Sequence, residues 1–504
     1  MVKTAPGQRG PQLRDRRPDG LGARAMRGAT VVLGGQAGKA IIQLASVVVL
    51  ARLLSPSDYG LIAMVITVVG VGELLRDFGL SSAAIQAPSL SREQRDNLWW
   101  VNVGLGIALA GLVCAGSGVL AAAYGQSSIG PIAQALSLTF VINGCATQYR
   151  ADLVRQLRFV RISAIDVVAP AVALTLAIGA ALLGWHYWAI VVQQLAQAGV
   201  TLILLVLSAR WIPGRPRRDA PIGGFLRYGW NMVAAQLVGY LSNNVDNLLI
   251  GLRFGPVALG IYSRAFQLLM TGVNQVRLPL TTVALPILSR LSDDTVRFGD
   301  WLCRGQLMLG YTLVAALAVV ASAAEPITAV FLGPQWAAAA PILRLLAIAG
   351  IFQSLAFVGY WVYLSRALTA DLFRFSLLGA FIKITCVVVG STGGVVGIAL
   401  GYAIAPAIEW PISLWWLSRR TSIPTRQLFG GASRVLAIAS IATPIAWFVV
   451  EWGSSWPAVP QVLAAFITVV ATYALAGLLV PRIRRDLAGV IDAMRLVRGR
   501  GESA

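Results

Sequence analysis

The sequence predicts an all-α polytopic membrane protein of about fourteen transmembrane helices. Three observations carry that expectation. Fourteen apolar stretches run along the 504-residue chain, and arginine sits on almost every second connection between them. Hydrophobic residues make up 57% of the chain and charged residues 12%, with a mean hydropathy of +0.73. That is more apolar surface than a water-soluble domain can hide. A hydrophobic run of roughly 18 or more residues is long enough to span a bilayer, and positive charge in short loops marks the cytoplasmic side.

The first segment, 1–28, is polar, basic and rich in Gly and Pro. It lacks the apolar core of a signal peptide and reads as a disordered cytoplasmic tail. The predicted spans follow at 29–51, 59–79, 98–122, 131–149, 164–184 and 187–209, then 226–252, 259–287, 305–332, 337–365, 372–391 and 395–417, and finally 431–452 and 459–480. The inside connections carry Arg92 and Arg95, then Arg150, Arg155, Arg158 and Arg161, then Arg210, Arg215, Arg217 and Arg218. Arg290, Arg297 and Arg304 follow, then Arg366, then Arg419, Arg420 and Arg426. The tail 481–504 adds Arg482, Arg484, Arg485, Arg495, Arg498 and Arg500, whereas the outside connections hold only Arg52 and Arg253. A missed helix would invert everything after it, so the alternation requires an even count and places both termini in the cytoplasm.

A repeat divides the chain. Leu54-Ser55-Pro56-Ser57-Asp58-Tyr59-Gly60-Leu61-Ile62 follows the first span, and Phe254-Gly255-Pro256-Val257-Ala258-Leu259-Gly260-Ile261-Tyr262 follows the seventh. Both read Pro-x-x-x-Gly and then two largely apolar residues. A repeat of six helices keeps its orientation, so the halves are expected to be related by an axis along the membrane normal. The predicted architecture is two pseudo-symmetric six-helix bundles, 29–209 and 226–417, a cytoplasmic linker 210–225, and two accessory helices in 431–480.

Ionisable groups inside a membrane cost roughly 2.5 to 3.5 kcal/mol at the helix centre and normally face a bundle interior or a cavity. Gln36, Lys39 and Gln43 share one face of the first helix. On the seventh, Gln236, Tyr240, Asn243 and Asn247 recur at helical spacing beside Asp246. On the eighth, Arg264, Gln267, Thr271 and Asn274 form a stripe that Arg277 extends. These residues read either as a hydrophilic, net-cationic cavity between the halves or as glue between helices, with Asp246 and Arg264 pairing. Lys39, with no acid near it on its own helix, favours the cavity. Glu409 is expected to pair with Lys383, Glu73, Arg76 and Asp77 to satisfy one another, and Arg344 and Arg374 to reach an interface. A cavity lined by Arg and Lys suits phosphate or pyrophosphate, and Trp361 and Tyr363 suit sugar rings.

Several classes are excluded. The net charge of +20 reflects arginines at helix ends and not a nucleic-acid surface. No Gly-rich nucleotide motif with its lysine occurs. The four cysteines show no C-x-x-C spacing and no metal-ligating pattern. His186, the sole histidine, sits beside Trp185, Tyr187 and Trp188 in a tight turn and reads as an interface anchor. The short, nearly chargeless outside loops leave little room for enzyme chemistry. A drug exporter is expected to line its cavity with acids, and here the candidates are mostly cationic.

Leu50-Ala51-Arg52-Leu53-Leu54-Ser55-Pro56-Ser57-Asp58-Tyr59-Gly60, continuing through Asp77-Phe78-Gly79-Leu80-Ser81-Ser82-Ala83, resembles a known family. So do Asp246-Asn247-Leu248-Leu249-Ile250-Gly251, Leu259-Gly260-Ile261-Tyr262-Ser263-Arg264-Ala265 and Val283-Ala284-Leu285-Pro286-Ile287-Leu288-Ser289-Arg290. These segments are similar to the Wzx-type polysaccharide flippases of the multidrug/oligosaccharidyl-lipid/polysaccharide exporter superfamily. The resemblance implies an inner-membrane transporter, not an enzyme. Its substrate would be an undecaprenyl-pyrophosphate-linked oligosaccharide, moved from the cytoplasmic to the periplasmic leaflet for capsule, exopolysaccharide or O-antigen assembly. A polymerase and glycosyltransferases acting on the same glycan would be its neighbours. A drug exporter of the same superfamily and a lipid II flippase are the alternatives. No cofactor is implied, and coupling to a H⁺ or Na⁺ gradient stays open, with Asp246 read either as an ion site or as a fixed counter-ion. The assignment of Gln36, Lys39, Gln43, Asn243, Asp246, Asn247, Arg264, Gln267 and Arg277 to a substrate cavity rests on position and charge and not on a family signature.

Overall fold

A computed structural model describes residues 19–77, 79–87, 89–209, 211–217 and 223–489. Most of the expected N-terminal tail lies outside these residues, as do Arg210, Arg218, Arg495, Arg498 and Arg500. The described residues form helices and turns without a strand. α1 spans Asp19–Leu53, α2 Pro56–Asp77, α3 Leu80–Gln86, α4 Arg92–Tyr124, α5 Ile129–Arg155, α6 Phe159–Leu182 and α7 Trp188–Ala209. α1 thus starts ahead of the predicted span at 29. Ala23 to Arg27 are Ala, Arg and Met, good helix formers, and no proline interrupts the sequence between Pro18 and the predicted span.

α8 spans Gly223–Arg290, 68 residues, which at about 1.5 Å per residue is some three times a bilayer core of ~30 Å. It is two crossings, because Gly255 breaks the helix at φ 78°, ψ −174°, a conformation only glycine adopts without strain. α9 (Thr295–Leu309), a π-helical turn at Gly310–Val314 and α10 (Ala315–Ser322) make the next crossing, and α11 (Ala324–Phe331) is a short helix after a break at Ala323. A 3₁₀ segment, Pro334–Ala339, leads into α12 (Ala340–Ser365). α13 (Thr369–Gly390) and α14 (Gly394–Arg420) are separated by Gly394 at φ 74°, and α15 (Thr425–Trp452) and α16 (Ala458–Leu479) follow. Twelve helical stretches are long and apolar enough to cross a membrane. Two of them, Gln236–Arg290 and Thr369–Arg420, are hairpins broken at Gly255 and Gly394. The crossings therefore number fourteen among the described residues.

In the first half α4 packs on α5, α6 on α7, and α1 on α6. In the second, α12 and α13 pack on α14, and α15 with α16 covers α10 and α11. The largest contact between the halves is α2 against α8. The Pro-x-x-x-Gly repeat lies in that seam and explains itself there. A Cβ on Gly60 would sit 1.7 Å from the Pro256 carbonyl oxygen, and one on Gly260 1.8 Å from that of Pro56. The two corners cross reciprocally, each glycine admitting the other corner's backbone, as helices in lipid do when small residues meet. A second pair of corners repeats. Leu157 and Ala367 hold φ 55° and 54°, and each sits in the same pair of closing bonds: Arg158 N to Leu153 O and Leu157 N to Val154 O, matched by Leu368 N to Tyr363 O and Ala367 N to Leu364 O. This is the Schellman closure, here built without glycine.

Candidate functional site

Two adjoining cavities lie in the molecule, one inside the first half and one where the first half meets the second. One, of about 400 Å³, is next to the α1–α2 corner and is lined by Gln43, Tyr59, Gln193, Asn247, Arg264 and Gln267 among others. The other, of about 530 Å³, extends toward the arginine-rich end and is lined by Lys39, Glu73, Asn143, Arg150 and Asp166. Ile66, Pro170, Gln194 and Gln197 border both. The corner end is shut by contacts between the halves. Besides the glycine crossing, Trp336 Nε1 donates to Ala51 O at 2.8 Å, Gln335 Nε2 donates to the same oxygen at 2.6 Å, and Arg52 donates to Val330 O at 2.6 Å. Tyr59 meets the Trp336 ring edge-on at 5.6 Å.

Arg264 is the cation beneath this seal. Its guanidinium lies 3.7 Å from the Tyr59 ring centroid, and its Nε is buried without a hydrogen-bond partner. A desolvated stack of this kind contributes on the order of 2 kcal/mol. The Asp246–Arg264 pair of the alternative reading, glue between helices, does not form. Asp246 is 1% exposed, accepts from the Tyr262 hydroxyl at 2.6 Å through Oδ2, and leaves Oδ1 without a partner. The reason is geometric. Residues two apart on a helix point about 200° from each other, so with Tyr262 turned to Asp246 across the Gly255 break, Arg264 must face α2.

Lys39 enters the larger cavity, where the surrounding charges are already matched. Arg150 donates twice to Asp166 at 2.8 Å, and Arg76 pairs with Glu73 at 2.8 Å while also donating to Thr147. Glu73 accepts from Asn143 at 3.0 Å, and Asp77 is held by Ser81 and not by Arg76. Lys39 has no salt bridge among the described residues, so it is the uncompensated charge of this cavity.

The remaining predicted residues go elsewhere. Asn243 lines a third cavity, about 660 Å³, with Gln353, Lys383, Tyr402 and Glu409. There Lys383 donates to Asn243 Oδ1 at 2.8 Å and sits over the Tyr402 ring at 4.6 Å, in place of the expected pair with Glu409. Arg277 lines none of the three cavities. It reaches Ser354 at 3.4 Å and lies over Phe357 at 5.1 Å, against α12. Gln36 is exposed and borders none of them. Tyr240 is glue, its hydroxyl donating to α2 carbonyls at 3.2 Å. Trp361 and Tyr363 are core residues, 1% and 2% exposed. Arg344 is tied to Glu325 by two bonds and Arg374 to Asp371 at 3.9 Å. What the sequence reading passed over is α7. Gln193, Gln194 and Gln197 form a compact amide group in an apolar helix, and Gln193 donates to Ser46 on α1 at 2.7 Å.

Fold and cavities define a multi-pass helical membrane protein of the transporter class, two pseudo-symmetric halves with polar cavities inside each half and one where they meet. The chain also matches the model of the family described as "Polysaccharide biosynthesis protein" over residues 49–341, more than half of its length, and it belongs to that family. It is 25% identical over 399 residues to the lipopolysaccharide biosynthesis protein WzxC of Escherichia coli (strain K12), covering 78% of this chain and 79% of that protein. It is 29% identical over 353 residues to the teichuronic acid biosynthesis protein TuaB of Bacillus subtilis (strain 168), covering 69% and 72%. Among solved structures it superposes on the lipid II flippase MurJ in an inward closed conformation, with a TM-score of 0.69 at 14% identity, covering 88% of this chain and 98% of that one. At that identity the likeness concerns the fold.

Proposed function

We propose that this protein is a flippase for an anionic lipid-linked oligosaccharide, the undecaprenyl-pyrophosphate-borne repeat unit of a capsule, exopolysaccharide or O-antigen. It would work in the inner membrane with both termini and the arginine-rich end in the cytoplasm. The observation that carries this reading is a pair of adjoining cavities that share Gln194 and Gln197 in their walls, one holding Lys39 and the other Arg264. Lys39 without a carboxylate and Arg264 without a partner for Nε suit a pyrophosphate, and Gln43, Gln193, Gln194, Gln197 and Asn247 suit sugar hydroxyls. Exchange between a state sealed at the α1–α2 corner and one sealed at the arginine-rich end, by rocking of the halves, would deliver the head group across the bilayer. Asp246, with one oxygen free, is where we place a coupling H⁺ or Na⁺. The polymerase and the glycosyltransferases of the same glycan are the proposed partners.

The test is a leaflet-resolved assay of lipid-linked glycan in cells lacking the gene. Accumulation of oligosaccharide–undecaprenyl intermediate on the cytoplasmic face, relieved by the intact gene, is the expected result. Normal export with no trapped intermediate would refute the reading and favour a small-molecule exporter.

A further inference from the structure

We propose that the groove between α14 and α15 at the arginine-rich end binds the head group of an anionic phospholipid. The groove has a volume of about 460 Å³ and is lined by Leu414, Trp415, Ser418, Thr425, Arg426 and Phe429. It contains no residue of the three cavities and opens on the flank of the molecule. Trp415 and Phe429 are 56% and 52% exposed, as suits rings at a membrane interface. Phe429 is held in place by stacking on Trp410, with ring centroids 5.4 Å apart and 4° between planes. From Trp415 the exposed stripe continues along α14 through Ile408, Ile404 and Leu400 at helical spacing, an apolar track of the length an acyl chain needs.

Charge selects the occupant. The acids near the groove are already taken: Arg420 engages Asp371 at 3.4 Å, and Arg434 engages Asp486 at 2.7 Å. Arg419, over the Trp415 ring at 5.5 Å, and Arg426 form no salt bridge among the described residues. Ser418 and Thr425 add hydroxyls at the same level. Gly430 keeps the floor low, since a Cβ there would meet only the Arg434 guanidinium, at 3.8 Å. Two unpaired guanidiniums above an apolar track fit a phosphodiester carrying two acyl chains. Basic pockets between transmembrane helices are recognised sites for such head groups.

The test uses the purified full-length protein in detergent and native mass spectrometry with dioleoylphosphatidylglycerol against dioleoylphosphatidylethanolamine. Each arginine at the membrane surface contributes about 1 kcal/mol, so Arg419→Ala or Arg426→Ala should weaken phosphatidylglycerol binding about fivefold and the double variant about 30-fold. The double Lys variant, which keeps the charge, should retain most of the binding and guards against a folding defect. Arg304→Ala, an exposed arginine of the same end on α9, should change nothing. Equal occupancy by the two lipids, or an equal loss in Arg304→Ala, overturns the site. So does binding of geranylgeranyl diphosphate that depends on these arginines more strongly than phosphatidylglycerol does, which would make the groove part of the cargo path.

Discussion

Replacing Gly60 or Gly260 by alanine tests whether the corner crossing is the seal of the cavity. The added Cβ would lie 1.7 or 1.8 Å from a backbone carbonyl oxygen, about half the 3.4 Å at which ordinary contact begins. No side chain can rotate out of the way, because the obstacle is main chain on both sides. The helices must part, and overpacking of this kind costs about 1 to 3 kcal/mol. That cost falls only on the state in which the corners cross, so it shifts the balance between the two access states about 5- to 150-fold. The shift can be read in a background with the four native cysteines replaced by serine and one cysteine placed at Gln43, inside the cavity. A membrane-impermeant thiol reagent added from the side of the α1–α2 corner should label Gly60→Ala and Gly260→Ala faster than the parent, and to a similar extent. The double variant should add little, since either substitution already separates the same pair of corners. Gly118→Ala is the control, because a Cβ there meets nothing within 4 Å. Labelling at the parental rate in both corner variants, with transport intact, would refute the assignment of this crossing as the seal.

Arg264→Lys keeps the charge but loses the planar stack on Tyr59. Transport of anionic substrate should fall roughly tenfold or more in a vesicle assay, and wild-type rates would show that Arg264 handles no cargo. Asp246→Asn should impair transport while Tyr262→Phe, which removes only the hydroxyl donor to Asp246, should leave a partly active protein. Full activity in Asp246→Asn would remove the carboxylate from any coupling role. Lys39→Ala should reduce transport without lowering thermal stability, whereas Arg277→Ala, packed on Phe357 and Ser354, should cost about 1 kcal/mol of stability. A melting-temperature and export comparison separates the two, and the reverse pattern would mean that their roles are exchanged.

The crossings were legible in the sequence because hydropathy and arginine placement answer to the bilayer, which every span shares. That legibility extends to Gly255 and Gly394, where the helical hydrogen bonding runs on but the alternation of charge demands a return. Interruptions that leave no compositional trace were not legible. The π turn at Gly310–Val314 has no such signal, and Leu157 and Ala367 take up left-handed backbone without being glycine or asparagine; the break at Ala323 is marked by Glu325-Pro326 in the first turn of α11, which the predicted span 305–332 runs across. At the site, the existence of buried charges and the pairing of Arg76 with Glu73 could be read from the residues, but the partners of Asp246, Arg264 and Lys383 could not. Whether Asp246 met Arg264 or Tyr262 depended on the direction given to each arm of α8 by one backbone angle at Gly255. The amides of α7 were present in the sequence and needed only to be weighed as a group.

The reciprocal crossing of Pro56 and Gly60 with Pro256 and Gly260 has the form of an isologous contact, in which one surface patch meets a copy of itself. A six-helix unit bearing a single Pro-x-x-x-Gly corner could make this contact with a second copy, closing a homodimer around the same axis. Fusion of two such units into one chain would then relax a constraint. In the homodimer any change at the corner appears on both sides at once. In the fused chain each side can vary alone, as long as the other still presents a carbonyl and a glycine. The flanking residues have used that freedom, with Tyr59 in one corner where Leu259 stands in the other, and it is Tyr59 that receives Arg264. The asymmetry of the cavity is thus written into the one place where the two halves remain most alike.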